Sequence, residues 1–226
     1  MAQQERAVRT RNAILRAAGE VFDELGYEAA TISVILQRAK VTKGALYFHF
    51  SSKEELAQAV LTRQLTSVPR VPRRDLALQQ GLDEALVLAH MLAAGEPLVR
   101  GSVRLTVEQG SPQDGLDRRA PMEGWIEHNV EILSAARDNG ELLPSVDVPA
   151  AAKMFVGAFT GVQILSKVMT DRADLVERVA DLQRHLMAGV AVPAVLVQLD
   201  FSPERGAQVY EEAAKVKREA EPVAVD

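Results

Sequence analysis

The residues best suited to chemistry lie in one ten-residue stretch, Val41–Phe50, which reads VTKGALYFHF. Four polar side chains in this stretch can donate hydrogen bonds: Thr42, Lys43, Tyr47 and His49. Donors of these types bind phosphate oxygens and the edges of bases. Their concentration on one short segment therefore favours recognition of nucleic acid.

Each residue has a role set by its place on a short helix that begins after Thr42. There the Thr42 hydroxyl and the free backbone N–H groups can meet a phosphate oxygen. Lys43 points forward from the first turn and is the candidate for a base edge, most simply guanine O6 and N7. Gly44 and Ala45 are small enough to let the helix approach the bases, and Ala45 could also touch a thymine methyl group.

The remaining polar candidates are expected to contact phosphates, which fix register rather than sequence: Tyr47, His49 and Lys53. Thr31, which can cap the preceding helix, completes the DNA-binding set. Taken singly, each of these residues is more often a packed or solvated surface group, and only their joint spacing favours a functional role. The apolar residues between them are assigned to the core: Leu46, Phe48 and Phe50.

The elements that position these residues are all helices. The first runs from about Glu5 to Leu25 with one apolar stripe, and Gly26 is placed to end it in a left-handed cap. Three shorter helices follow, with N-caps at Thr31, Thr42 and Ser52. Glu55 completes a capping-box pattern with Ser52, and the fourth helix is expected to continue to about Leu65. The second and third helices form the two arms of a helix-turn-helix.

The rest of the chain also predicts helices and no strands, so the fold class is all-α. A Pro- and Arg-containing loop, Thr66–Asp75, marks a boundary. Further helices are expected near 75–94, 96–109, 121–139, 148–170, 173–188 and 202–219. Gly110–Pro121 is expected to be the most mobile loop. The predicted division is a DNA-binding domain at 1–65, a larger ligand-binding and dimerisation domain at 66–220, and a flexible tail at 221–226.

Charge is distributed unevenly along the chain. Residues 1–53 hold eight Lys and Arg against five Asp and Glu, a net charge of +3, while the remainder carries −8. A basic head on an acidic body fits DNA binding better than the overall net charge of −5 does.

Composition and motifs exclude several classes of function. The absence of cysteine rules out disulfides and thiolate sites. Neither a signal peptide nor an uninterrupted apolar run of about 20 residues is visible, so a cytoplasmic protein without a membrane partner is expected. The histidines are scattered and no phosphate-binding loop occurs. We therefore expect no enzyme, no metal and no cofactor.

Residues 5–61 resemble the N-terminal domain of the TetR (tetracycline repressor) family. The resemblance rests on Phe22, Gly26-Tyr27, Thr31-Ile32, the Val41–Phe50 stretch and Lys53–Leu56. The KGALYFHF sequence followed by Ser-Lys-Glu is similar to the γ-butyrolactone autoregulator receptors of streptomycetes. Weaker similarity continues through Gly115–Arg119, Trp125, Gly140–Pro144 and Phe159–Gln163. One departure is Lys40, where many family members have glycine in the turn; a non-glycine residue in a left-handed turn costs about 1 kcal/mol.

This resemblance implies a ligand pocket in the larger domain. The receptors carry a tryptophan at the position of Trp125 that lines the pocket, although a lone tryptophan is as often a core anchor. Gln64 and Thr160 are polar residues on apolar helical faces, and a lactone with carbonyl and hydroxyl groups could pair with them. Alternatively, Gln64 is solvated and Thr160 bonds its own helix. His128, one turn from Trp125, is a further candidate.

The helices near 148–170 and 173–188 carry more apolar surface than one core requires: Met154, Phe155, Val156, Phe159, Val162, Leu165, Leu175, Val179, Leu182 and Leu186. Part of this surface is interpreted as a two-fold, four-helix interface in a homodimer. Gly157 and Gly161 have a spacing that permits close helix packing. Two heads in a dimer would read a palindromic operator on double-stranded DNA.

The sequence therefore predicts a DNA-binding transcriptional repressor released by a γ-butyrolactone or butenolide signal, as in quorum sensing and the regulation of antibiotic biosynthesis. Two alternatives remain open at this point. One is a related pseudo-receptor that senses another small molecule. The other is an all-helical carrier or enzyme for an apolar ligand that never binds DNA. The operator sequence and the regulated genes cannot be read from the chain.

Overall fold

The computed structural model describes residues 2–108 and 114–220, and these residues form helices joined by short loops. Their order is α1 (Ala2–Ala29), α2 (Ile32–Ala39), α3 (Lys43–His49), α4 (Lys53–Leu61), α5 (Arg63–Ser67), α6 (Ala77–Ala94), α7 (Pro97–Val107), α8 (Arg119–Asp138), α9 (Val148–Thr170), α10 (Leu175–Val190), α11 (Pro193–Leu196) and α12 (Arg205–Ala220). The predicted all-α class is confirmed. In the described part of the chain, β-type pairing is limited to an isolated antiparallel bridge between Leu142 and Ala191.

The chain divides into two compact units. Unit 1 contains the described parts of residues 1–67 and 95–123, and unit 2 contains those of residues 68–94 and 124–226. The predicted boundary after residue 65 lies near the first division, but α7 groups with the N-terminal helices. The functional division at residue 65 stays a prediction, and the predicted tail 221–226 lies outside the described residues.

In unit 1, α1 and α7 cross at a pair of glycines. A Cβ atom on Gly19 would lie 2.6 Å from the carbonyl oxygen of Pro97, and one on Gly101 would lie 2.4 Å from the carbonyl oxygen of Gly19. Real Cβ atoms essentially never approach backbone this closely. Glycine at both positions therefore allows the two helix backbones to touch, and this contact joins α7 to the N-terminal helices.

Gly26 corrects one detail of the predicted first helix. Its φ is positive (74°), as expected, but its ψ of 178° is extended, so the residue kinks α1 and the helical turn continues to Ala29. A Cβ there would lie 2.3 Å from a carboxylate oxygen of Glu108. The same carboxylate accepts a hydrogen bond from the Tyr27 N–H at 2.9 Å. Because Gly26 has no side chain, Glu108 at the end of α7 can reach the kink and accept this hydrogen bond from Tyr27.

The three predicted N-caps are confirmed by geometry. Side-chain oxygens of Thr31, Thr42 and Ser52 accept hydrogen bonds from backbone N–H groups three residues later. Glu55 departs from the simple capping box, because its carboxylate accepts from the N–H of Ser51 at 2.7 Å rather than from that of Ser52. Each cap satisfies a donor that the helix start would otherwise leave unpaired.

The core of unit 1 gathers the apolar stripe of α1 with residues from α2, α3, α4 and α7, including Phe22, Ile35, Leu46, Phe50 and Leu105. The prediction that Phe48 belongs to this core is wrong, because its side chain is 79% exposed. Leu46 of α3 and Phe50, the residue that follows the helix, are four residues apart and both lie in this core. Phe48 lies between them in sequence and therefore points to the other side.

In unit 2, α6 is the central helix, and both α10 and α12 pack against it. Its Asp83 is fully buried and is neutralised by two arginines that flank the helix. Arg74 Nε donates to Asp83 at 2.6 Å, and Arg205 Nη2 donates at 2.9 Å. A buried carboxylate needs such partners. Because both arginines bind Asp83, the loop before α6 and the start of α12 are both held against α6.

Several predicted helix bounds shift. The fourth helix ends at Leu61, so Gln64 lies in the separate helix α5. The short α11 was not predicted, and α12 begins at Arg205 rather than Ser202. The predicted loop Gly110–Pro121 is shorter at its far end, because α8 begins at Arg119. Residues 109–113 of that loop lie outside the described residues.

Among the described residues, α9 is the one helix whose length and composition would allow it to cross a membrane, with a mean hydropathy of 1.4 in its most apolar window. Only 28% of that window is buried inside the chain. Lys153 and Lys167 lie within the helix, so it contains no uninterrupted apolar run of about 20 residues. Its apolar surface therefore needs another explanation.

Candidate functional sites

The outer face of α3 presents the predicted DNA-binding residues together. Thr42, Lys43 and Gly44 are all exposed at its start. A Cβ atom on Gly44 would meet nothing within 4 Å, so this part of the helix has free space in front of its backbone. The Lys43 ammonium lies 5.8 Å from the centre of the Tyr47 ring, which keeps the cation on the same face.

The second half of α3 continues this surface. Tyr47 is 44% exposed, and His49 is partly buried with its ring edge-on to Phe48 at 5.0 Å between centroids. Ala45, His49 and Phe48 line a cleft of about 590 Å³ whose other wall is the start of α1: Gln4, Arg6, Ala7 and Thr10. Sequence reasoning missed the α1 wall, because nothing local shows that the first turns of α1 lie beside α3.

Lys53 has an intramolecular role that the sequence did not reveal. Its ammonium donates to the carbonyl oxygens of Tyr27 at 2.9 Å and Ala30 at 3.1 Å, and it lies 4.2 Å from the centre of the Tyr27 ring. These contacts tie the start of α4 to the corner between α1 and α2. The phosphate contact predicted for Lys53 stays a prediction, as does the DNA contact of Thr31, which is exposed at the start of α2.

The turn before α3 has the strained geometry that its sequence suggested. Lys40 adopts a left-handed conformation with φ 55° and ψ 41°, a region that glycine enters more easily than lysine. Its N–H and that of Val41 point back to carbonyls at the end of α2, which closes the helix. The turn therefore keeps the glycine-like backbone, although it carries a lysine.

Gln64 is buried, which rejects the solvated alternative for this residue. It is 3% exposed, and its side-chain carbonyl accepts a hydrogen bond from Thr106 Oγ1 of α7 at 3.2 Å. This contact belongs to unit 1 and joins α5 to α7. The ligand-binding role of Gln64 stays a prediction.

Trp125 and His128 of α8 are brought together in unit 2, with their rings nearly perpendicular and 6.1 Å apart. His128 Nε2 lies 2.5 Å from a carboxylate oxygen of Glu84 on α6. The hydrogen bond to Glu84 raises the pKa of His128 above its usual value, and partial burial of the ring opposes this effect. The indole nitrogen of Trp125 is buried and has no hydrogen-bond partner among the described residues.

Thr160 bonds the backbone of its own helix, which is the second of the two alternatives given for it above. Its hydroxyl donates to the carbonyl oxygen of Val156 in its own helix at 2.8 Å. The hydroxyl oxygen can still accept a hydrogen bond, but the donor predicted for a ligand is already used. The ligand contact of Thr160 therefore stays a prediction that the structure weakens.

Along α9, one face is apolar and exposed. Five large side chains on it are between 41% and 75% exposed: Met154, Ile164, Leu165, Val168 and Met169. Gly157 and Gly161 lie between them, and a Cβ at either would meet nothing within 4 Å. We call this surface the α9 stripe. The contribution of α10 to an exposed apolar surface is smaller than predicted, because its Leu175 and Val179 are fully buried.

Comparisons with known proteins agree with this architecture. Residues 14–60 match the bacterial regulatory proteins of the TetR family. The chain is 39% identical over 225 residues to the A-factor receptor protein of Streptomyces griseus, and the alignment covers 97% of this chain and 78% of the relative.

Solved structures give the same result at the level of the fold. Full-length native TylP, a TetR regulator from Streptomyces fradiae, superposes with a TM-score of 0.88 at 64% identity, covering 92% of this chain and 99% of that one. A γ-butyrolactone receptor described as ArpA-like superposes with a TM-score of 0.65 at 27% identity, covering 95% and 99% of the two chains. The chain therefore belongs to the TetR family of bacterial transcriptional regulators.

Proposed function

We propose that this protein is a homodimeric repressor that binds a palindromic operator and is released from it by a small γ-butyrolactone or butenolide. The observation that carries the proposal is the outer face of α3. A short, capped helix presents Lys43, Gly44 and Tyr47 to solvent while Leu46 and Phe50 anchor it from behind. A repressor of chromosomal genes would act in the cytoplasm.

Dimerisation is supported by the α9 stripe. Large exposed apolar side chains are uncommon in such number on one helix of a soluble monomer. Small residues at Gly157 and Gly161 would let two copies of the helix approach closely. In a dimer, two α3 helices would read half-sites about 34–36 Å apart, or a multiple of that distance.

The ligand-binding role rests on the Trp125–His128 pair. A buried indole N–H without a partner is costly, so a ligand carbonyl that accepts its hydrogen bond would be favoured. His128 adds a second polar group beside the ring, held by Glu84. A lactone offers a carbonyl oxygen and, where substituted, a hydroxyl group. A similar structure described as a γ-butyrolactone receptor supports this ligand class. Another, described as the molecular basis for control of antibiotic production by bacterial hormones, supports a role in quorum sensing and antibiotic regulation.

Coupling would pass through α4 and α5. Lys53 ties one end of this segment to the corner of α1 and α2, and Gln64 ties the other end to Thr106 of α7. A ligand that favours one tilt of the segment would change the separation of the two α3 helices. A hundredfold loss of DNA affinity requires a coupling free energy of about 2.7 kcal/mol.

The ligand proposal is tested with two substitutions of one residue. Trp125→Phe removes the N–H but keeps most of the apolar ring, whereas Trp125→Ala removes both. We expect Trp125→Phe to weaken lactone binding about three- to tenfold, as for one hydrogen bond, and Trp125→Ala to abolish lactone-induced release. Both variants should retain operator binding in a mobility-shift assay.

Equal lactone binding by wild type and Trp125→Phe would show that the indole N–H makes no contact. Normal lactone-induced release of Trp125→Ala from DNA would remove this residue from the site. Either variant that lost DNA binding without ligand would point to a structural role for the ring.

A further inference from the structure

Phe48 is an exposed aromatic residue that the packing of unit 1 does not explain. It is 79% exposed, more than any other aromatic side chain among the exposed apolar residues of the described chain. The ring rests edge-on against His49 at 5.0 Å, which limits its freedom. One exposed apolar residue is not unusual in itself. Phe48 is singled out because it lies on the proposed reading helix and lines the cleft between α3 and the start of α1.

The position of Phe48 on α3 indicates which part of the DNA it would contact. It lies four residues after Gly44 and three after Ala45, so all three share one face of the helix. This is the face with free space in front of its backbone at Gly44. The residue therefore points where the bases would lie.

The surroundings of Phe48 suit a polyanion. The cleft that it lines with α1 contains Arg6, Thr10, Gln4 and His49 and no carboxylate among its lining residues. Lys43 is exposed on the same helix. An apolar peptide would gain nothing from these donors, whereas a DNA strand would use them for its phosphates.

Within the major groove, the apolar group that distinguishes one base pair from another is the thymine C5-methyl. We propose that Phe48 is a specificity-determining residue that reads a thymine methyl group in each half of the operator. This inference rests on the proposed DNA-binding function and adds a residue that the core assignment had removed from it.

The test uses a duplex enriched from random-sequence DNA by the full-length wild-type protein. Each thymine of one half-site is replaced singly by deoxyuridine, which lacks only the methyl group, and affinities are measured by fluorescence anisotropy. For wild type we expect about fourfold weaker binding at one thymine, the value for loss of one buried methyl-sized group, and no change elsewhere. Phe48→Ala should bind the unmodified duplex at least as weakly as wild type binds the modified one, because it loses the whole ring, and it should show no further loss on demethylation.

Leu25→Ala is the matched control, because Leu25 is an exposed apolar residue of α1 outside the cleft lining. It should keep the wild-type pattern of methyl sensitivity. Since Phe48 is mostly exposed, Phe48→Ala should melt at the wild-type temperature. Phe48→Leu is a second variant. Its loss of affinity on demethylation should lie between those of wild type and Phe48→Ala.

Three results would overturn the proposal: no thymine at which demethylation weakens wild-type binding, the same methyl sensitivity in Phe48→Ala, or a selected site without thymine. The second result would assign the methyl contact to another residue, such as Ala45. Failure to enrich any duplex would instead overturn the repressor function itself, and the inference with it.

Discussion

Two exposed apolar surfaces of this chain, one on α3 and one on the α9 stripe, differ in what surrounds them. On α3, Phe48 lies beside Arg6, Thr10 and His49 in a cleft without carboxylates. On the α9 stripe, apolar residues adjoin one another and two glycines. Exposure alone is therefore a poor guide to a partner. The neighbouring charges and side-chain sizes indicate DNA for the first surface and a second copy of the chain for the second.

The difference also appears in how each surface is supported. The seven-residue α3 is too short to be stable alone, and its caps, its buried Leu46 and Phe50, and the Lys53 tether hold it in place. The 23-residue α9 needs less local support. A reading surface can thus be small and rigidly mounted, whereas a dimer surface needs continuous apolar area.

The largest expected effect comes from charging the α9 stripe. Leu165→Arg places a cation on the surface proposed to meet its own copy, and we expect the protein to become monomeric. Loss of the second half-site contact should weaken operator binding more than about a hundredfold. Analytical ultracentrifugation and mobility shift measure the two effects. Val197→Arg, at an apolar residue outside the stripe that is even more exposed than Leu165, should change neither the oligomeric state nor operator binding. A dimeric Leu165→Arg would contradict the assignment.

The second prediction separates base reading from phosphate binding on α3. Lys43→Ala should weaken specific binding by about 1–3 kcal/mol and relax the preference at one base pair. Tyr47→Phe removes one hydroxyl and should weaken binding to all sequences alike, by about 0.5–1.5 kcal/mol. Selection of random duplexes by each variant distinguishes the two. An unchanged base preference for Lys43→Ala would remove it from the base-reading set.

The third prediction uses two glycines with opposite surroundings. Gly101→Ala forces a Cβ into the backbone of α1 and should lower the free energy of unfolding by about 1–3 kcal/mol. Gly44→Ala meets open space, so stability should be unchanged or slightly higher, while operator binding should fall because the helix can no longer approach the bases. Urea denaturation and anisotropy test the pair. Intact operator binding by Gly44→Ala would argue against close approach at that residue.

The smallest expected effect is a pH-dependent stability of unit 2. Because Glu84 raises the pKa of His128 in the folded chain, the pair should stabilise the fold fully below the unfolded pKa of about 6.5 and lose that contribution as the pH rises through the folded pKa. The free energy of unfolding, measured by urea denaturation, should be about 0.2–1 kcal/mol higher for wild type than for His128→Gln near pH 6. The difference should be smaller near pH 9. His185→Gln, on exposed α10 surface, is the control. A difference that does not vary with pH would show that the ion pair contributes nothing.

Local chemistry explains which parts of the fold the sequence could predict. The caps at Thr31, Thr42 and Ser52 need only residues within three positions, so the starts of α2, α3 and α4 could be predicted from the sequence. The side of α3 on which Phe48 lies was not predictable in this way. In a helix of only seven residues, apolar character does not distinguish a core residue from one that meets a partner.

The other features that the sequence did not predict depend on contacts between residues far apart in the chain. The grouping of α7 with the DNA-binding helices depends on Gly19 meeting Gly101, 82 residues away in sequence. The tether of Lys53 depends on where the corner after α1 places its carbonyl groups. Neither contact has a local sequence signal. For Gln64, the sequence left open whether the side chain is buried or solvated, and it did not indicate the partner Thr106.

The central claim is that a dimer reads a palindromic duplex and leaves it when a lactone binds. The most direct measurement titrates the full-length protein into a duplex that it has selected, at fixed salt, with and without a panel of γ-butyrolactones and butenolides. We expect two chains to bind each duplex that carries a symmetric pair of half-sites, and one member of the panel to weaken this binding at least a hundredfold. A selected site without two-fold symmetry, one chain per duplex, or unchanged affinity at saturation with every lactone would contradict it.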